Sequence, residues 1–286
     1  MDPMPAIRPS STALARTLCA LVAFAAGVVG VLMLIVPGST DRYFSWALAP
    51  APLAALVGAC YVASAVVFGW AAARPGWPGL RPLCLAVFGL TVPTLIATIH
   101  HRSVFDFGRW QAVLWLGLFI ASPLVFGITL ARHRRATRPL GPSVPSPARV
   151  VLGAMSAAYA AIAIAAFWSP RTVAAHGPIA SGPMGIRFAG AWAAFLAILA
   201  AYAAVRPRWS ESRTALLGLV AWPLAALGAA LLHFDELRDG ARAPYVAGLV
   251  VMAGLAGAVL IAGRASTTVR MLGPERRVDA LGVFPS

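Results

Sequence analysis

The chain predicts an all-α polytopic membrane protein with eight transmembrane helices, arranged as two tandem four-helix repeats about a pseudo-two-fold along the membrane normal. Three observations carry this expectation. Hydrophobic residues make up 60% of the chain and charged residues 11%, against roughly a quarter charged in soluble domains, so most of the surface must face lipid. Eight apolar runs approach the length of about 20 residues that a helix needs to cross a hydrocarbon core of about 30 Å. Uncommon residues also recur at a nearly constant offset between the first four runs and the last four.

The runs cover about 15–36, 52–73, 83–100, 110–131, 150–168, 187–205, 214–233 and 243–263. Arg8 and Arg16 precede the first, as in a signal peptide, but its apolar core exceeds the usual 7–15 residues. It therefore counts as a span. Cys19, Cys60 and Cys84 each fall inside a run. Their odd number and the lack of a C-x-x-C pair argue against disulfides or a zinc site, and they fit as small buried hydrophobes.

All basic residues are arginine, and the Ala-, Arg-, Pro- and Gly-heavy usage is that of a GC-rich bacterial gene. The net charge of +14 sits in short loops between apolar runs, where anionic inner-leaflet headgroups are the nearer partner; nucleic acid is excluded. Sixteen of the 23 arginines fall with the N-terminus, the even loops and the C-terminus. Positive charge accumulates on the cytoplasmic side, so both termini are expected there, in a bacterial inner membrane. Asp41, Asp106, Asp235, Glu236 and Asp239 then lie outside, and Asp2, Glu211, Glu275 and Asp279 inside. No carboxylate falls near the middle of a run.

Trp70, Arg74, Pro75 and Trp77 match Tyr202, Arg206, Pro207 and Trp209 at an offset of 132. Pro37, His100 and Asp106 match Pro170, His233 and Asp239 at 133. Four spans per half is an even number, so both halves enter the membrane the same way, as in parallel repeats. This divides the chain into a first repeat (1–135), a Pro/Arg-rich cytoplasmic linker (136–149), a second repeat (150–263) and a mobile cytoplasmic tail (264–286). Pro139, Pro142, Pro145 and Pro147 are expected to keep the linker extended. Small residues should form close-approach faces, with Gly27 and Gly30 in the first span and Ala253, Gly254 and Gly257 in the eighth as candidates. Pro93 and Pro223 are expected to kink spans 3 and 7.

Chemistry is concentrated on the outer rim. His100 and Asp106 follow span 3; His233, Glu236 and Asp239 follow span 7. Imidazole with carboxylate is an ordinary zinc or iron ligand set, and on a helix His233 and Glu236 share a face. In the first half, however, Ser103 stands three residues after His100. Mutual pairing is favoured over a metal, with Arg102, Arg109, Arg238 and Arg242 as partners for the acids. Haem ligation by His100 and His233 is disfavoured because both lie at the water-facing ends. Ion-coupled transport lacks intramembrane charges, and span hydroxyls such as Ser64, Thr94, Ser156 and Tyr159 are expected to bond back to their own helices. No G-x-S-x-G, H-E-x-x-H or P-loop is present. His133 and His176 are expected on solvated loops, and Arg74, Trp77, Arg206 and Trp209 as lipid-headgroup anchors at the inner interface. The resulting expectation is a non-enzymatic accessory or ligand-binding membrane module without a cofactor, working with a membrane-complex partner. A carrier or enzyme acting on a hydrophobic or lipid-linked substrate at the outer leaflet is the alternative.

Overall fold

The computed structural model describes residues 9–74, 77–133, 143–206 and 208–271. Pro75, Pro207, half of the linker with Pro139 and Pro142, and the tail from residue 272 lie outside these. Eight long helices are apolar enough to cross a membrane: α1 (Pro9–Ile35), α3 (Ala51–Ala73), α4 (Trp77–His100), α5 (Trp110–His133), α6 (Ser146–Trp168), α8 (Pro183–Val205), α9 (Trp209–Leu232) and α10 (Asp239–Met271). Two short helices, α2 (Thr40–Tyr43) and α7 (Pro170–His176), follow α1 and α6 on the way to the next span. No strand occurs among the described residues; Ser143 and Arg208 make an isolated bridge.

Several helices begin a turn or so before their apolar run. α4 starts at Trp77 rather than about 83, and α9 at Trp209 rather than about 214, which brings Arg81, Glu211 and Arg213 into helix. α6 begins at Ser146, so Pro147 sits in its first turn instead of extending the linker; proline is tolerated there because the first helical N–H groups have no intrahelical partner. The last helix continues past Arg264 to Met271. Pro93 and Pro223 lie within unbroken α4 and α9.

The helices form an inner and an outer set. In α3, α4, α8 and α9, between 50% and 67% of the apolar window is buried; in α1, α5, α6 and α10 only 17% to 28% is. The outer helices thus present most of their surface to lipid. α1 lies along α3 and α6 along α8; α3 packs on α9 and α4 on α8; α5 packs on α4 and α10 on α9. Each packing unit therefore draws one hairpin from either half of the chain: α1–α3 with α9–α10, and α4–α5 with α6–α8. α4 and α9 cross between the units.

Close approach explains why the inner helices are rich in small residues, since in lipid tight packing replaces the hydrophobic drive between helices. A Cβ on Gly30 would stand 2.8 Å from the Gly58 carbonyl oxygen, and one on Gly58 2.7 Å from the Met33 Cβ. Gly190 meets Ala166 of α6 in the same way, and Gly89 meets α8 at the Ala194 carbonyl. The expected face on α10 holds only in part: Ala253 is buried, while Gly254 and Gly257 have no such neighbour within 4 Å. Their abundance there reflects composition.

Most span hydroxyls do bond back. Ser64, Thr91, Thr94, Thr98 and Thr129 each donate to the carbonyl four residues earlier, at 2.6–2.8 Å. Ser156 departs from this, donating across to the Ala197 carbonyl of α8 at 2.9 Å.

Candidate functional site

The histidines and acids that follow α4 and α9 pair locally. The His233 ring nitrogen Nδ1 and Glu236 Oε1 are 2.6 Å apart across a 3₁₀ turn (Phe234–Glu236) rather than along a helix. Asp239, 89% exposed, begins α10 and binds Arg242 at 3.1 Å. Asp106 accepts from the Gly108 backbone N–H at 3.0 Å. His100 is exposed at the end of α4, its ring edge-on to His101. Among the described residues no three His, Cys, Asp or Glu side chains gather where a metal ion could be held.

Backbone geometry sets His101 apart from His100. His101 and His233 both precede a 3₁₀ turn, with φ/ψ of −109°/33° and −118°/28°. His101, and not His100, therefore shares the backbone setting of His233. His101 accepts a 2.5 Å hydrogen bond at Nε2 from Arg187 of α8, and it lines a small cleft with Trp46, Val104 and Ser181. Burial, then the Arg187 and His100 charges, hold its pKa below the usual histidine value. It is a neutral acceptor there.

The arginine-rich end holds a buried ion pair. Glu211, in the first turn of α9, has a 1% exposed side chain. Its Oε1 lies 3.8 Å from Arg81 of α4 and accepts from the Tyr202 hydroxyl of α8 at 3.3 Å. Its Oε2 has no hydrogen-bond partner among the described residues. Trp77 is 2% exposed and stacks on His133 at 4.5 Å. His133 is therefore not a solvated loop residue: it closes α5, buried, with Nδ1 on the Thr129 carbonyl. The other solvated candidate, His176, is exposed at the end of α7. Arg74 and Arg206 are exposed, Arg74 lying over the Trp70 ring at 4.1 Å. Trp209 is half-buried, its ring against Gly263.

The site that sequence reasoning missed lies at mid-span between the two packing units. A cavity of about 180 Å³ is walled by Cys60 of α3, Tyr159 of α6, Trp192 of α8, Trp222 of α9 and Tyr245 of α10, with Ala189, Ala193 and Ala226 leaving the space. Two of the helices that wall it, α6 and α10, touch only slightly. Cys60 is within electrostatic reach of both tyrosines. Neither phenol has a hydrogen-bond partner among the described residues, and the same holds for the buried indole N–H groups of Trp192 and Trp222. Tyr159 thus does not bond back to its helix; a phenol is too long to reach its own preceding carbonyl. From the Trp192–Trp222 pair (5.9 Å) a run of aromatic contacts continues through Phe188 to Trp115 and Trp46.

No family model, curated protein or solved structure matches the chain.

A partial signal for this site was legible. Phe188, Trp192 and Phe195 recur at helical spacing on one face of α8. Which helices close the space around that face depends on the interleaved packing, and no local pattern encodes it.

Proposed function

We propose that the protein is a non-enzymatic ligand-binding module of the membrane, which takes a lipophilic molecule sideways from the lipid into the cavity between its packing units. The observation that carries this is the cavity itself: apolar walls at mid-depth between helices of both packing units, with alanines at 189, 193 and 226 in its lining. Ligand sites are commonly concave, mostly apolar and placed between structural units.

The setting proposed for it is a bacterial inner membrane with both termini cytoplasmic, supported by the arginine asymmetry. Exposed Arg74 and Arg206 at the cytoplasmic end would then meet anionic headgroups. We also infer a gene duplication. Support comes from the residue matches and from backbone: Val36 and Ser169, each before a proline, have φ/ψ of −130°/58° and −130°/56°. The packing is also paired, α1–α3 like α6–α8 and α3–α9 like α8–α4. A membrane-complex partner fits an accessory role.

Photolabelling tests the binding reading. With the protein in nanodiscs, an alkyl-diazirine lipid should label peptides around Tyr159, Trp192 and Tyr245 above the lipid-facing background at Phe24 and Trp168. Ala189→Phe, which fills the cavity, should remove that excess. Uniform labelling insensitive to Ala189→Phe would refute the reading.

A further inference from the structure

We infer that the arginine-rich end carries two matched binding sites for the phosphate of anionic phospholipids, one on Arg16 and one on Arg149. Each side chain makes one hydrogen bond, and the two bonds are of the same kind. Arg16 of α1 donates through Nε to the Ala72 carbonyl of α3 at 2.8 Å, and Arg149 of α6 donates through Nε to the Ala204 carbonyl of α8 at 2.9 Å. Arg149 follows Arg16 by 133 residues and Ala204 follows Ala72 by 132, the offsets at which the other uncommon residues recur. The inference is independent of the cavity and needs only that the apolar helices cross a bilayer.

The bonded carbonyls belong to the last turns of α3 and α8, where a helix leaves its carbonyls without N–H donors. Nε satisfies one of them in each case, and this fixes the plane of the guanidinium. The opposite edge, with Nη1 and Nη2, stays open: neither arginine has another hydrogen bond or an ion pair among the described residues. A guanidinium held this way presents parallel N–H groups to two oxygens of one phosphate, a geometry that an ammonium lacks.

Depth selects the acceptor. Each arginine is the fourth residue of its apolar span, Ala13–Ile35 and Ser146–Trp168, about 5 Å along the helix from the end. A charged side chain at that level reaches for the interface, where phospholipid phosphates are the anions at hand. The helices that supply the carbonyls each end in a further exposed arginine, Arg74 on α3 and Arg206 on α8. None of the four pairs with an acid among the described residues. The local field is therefore positive, and it favours a headgroup of net negative charge over one whose own cation offsets the phosphate.

Native mass spectrometry of the full chain, titrated with phosphatidylglycerol or phosphatidylcholine, counts the sites. Two phosphatidylglycerol molecules should be retained per chain, roughly threefold or more tightly than phosphatidylcholine. Arg16→Gln and Arg149→Gln keep a donor for the carbonyl, and each should weaken one of the two sites by roughly tenfold, the lower range for a hydrogen bond to a charged group. Arg16→Lys and Arg149→Lys keep the charge and lose the fork, and each should weaken its site by roughly threefold. Arg132→Gln, at the exposed end of α5, should change neither number nor affinity. Equal retention of the two lipids, or an Arg132→Gln effect as large as the others, would overturn the inference in favour of unspecific charge attraction. Lysine variants that match the natural chain would overturn the fork geometry. Soluble glycerol phosphate displacing phosphatidylglycerol at equal concentration would overturn the lipid source. The labelling excess around Tyr159 should be untouched by all of these variants, so the cavity reading and this one can each fail alone.

Discussion

Replacing Arg81 with alanine would strand the most deeply buried acid among the described residues. Glu211 is 1% exposed, and Arg81, 3.8 Å away and 17% exposed, is its counter-charge. At an effective dielectric of about 20, two unit charges at that distance attract by about 4 kcal/mol. Some of this is screened at the open side of Arg81, while the position of Glu211 in the first turn of α9 returns about 0.5 kcal/mol through the helix dipole. We expect Arg81→Ala to destabilise the protein by about 3 kcal/mol, the lower part of the range for breaking a buried pair. Arg102→Ala, at an exposed rim position, should change stability by less than about 0.5 kcal/mol. The double variant Arg81→Met/Glu211→Gln removes both charges and should recover most of the loss. Reversible unfolding in mixed micelles, followed by tryptophan fluorescence, measures all three. If Arg81→Ala matches Arg102→Ala, or the double variant is no better than the single, the pair does not hold α4, α8 and α9 together and the reasoning fails.

Two further outcomes follow from the packing and the rim. Gly30→Ala should cost about 1–3 kcal/mol, because its Cβ would press on the Gly58 carbonyl and the Val62 backbone nitrogen at 2.8–2.9 Å. Gly254→Ala meets nothing within 4 Å and should be neutral or stabilising by up to about 1 kcal/mol through helix propensity; equal effects in the same unfolding assay would refute the close-approach assignment. The pH dependence at His101 has a definite sign. Its folded pKa lies below the ordinary value of about 6.5, so the unfolded chain takes up the proton first. Its contribution is complete above that value and declines as pH falls through 6.5 toward the lower folded pKa. His101→Gln should therefore flatten the stability profile between pH 7.5 and 5, and an unchanged slope would count against the Arg187–His101 bond.

Much of the architecture was legible from residues alone, because lipid leaves a chain few options. Backbone polar groups must be satisfied within each span, so apolar runs of the right length become helices, and all eight did. Helix starts were less legible. Hydropathy marks where charge ends, yet α4 and α9 begin several residues before that point, with Arg81 and Glu211 inside. Charged side chains can be accommodated near helix ends by pairing or by reaching the interface, so the apolar stretch understates the helix. That is why an acid counted as a loop residue is a buried element of the core. His133 was misplaced for the same reason, since its burial comes from the ring of Trp77 on a neighbouring helix.

The rim histidines show the limit of matching letters. His100 and His233 align at one offset, but it is His101 that shares the turn geometry of His233, and only His101 carries the contact to α8. The cavity was further out of reach. Tyr159 and Tyr245 are 86 residues apart on helices that scarcely touch, and Cys60 comes from the other half of the chain.

The sequence by itself determined that this chain is a bundle of eight apolar helices with polar chemistry at their ends, because both properties are set by length and local composition. Only the tertiary structure decided which helices are inner, that each packing unit takes a hairpin from either half, and that side chains from α3, α6, α8, α9 and α10 wall one apolar cavity. Those depend on long-range close approach at residues such as Gly30, Gly58 and Gly190, where van der Waals fit between distant segments, and not hydropathy along the chain, selects the partner.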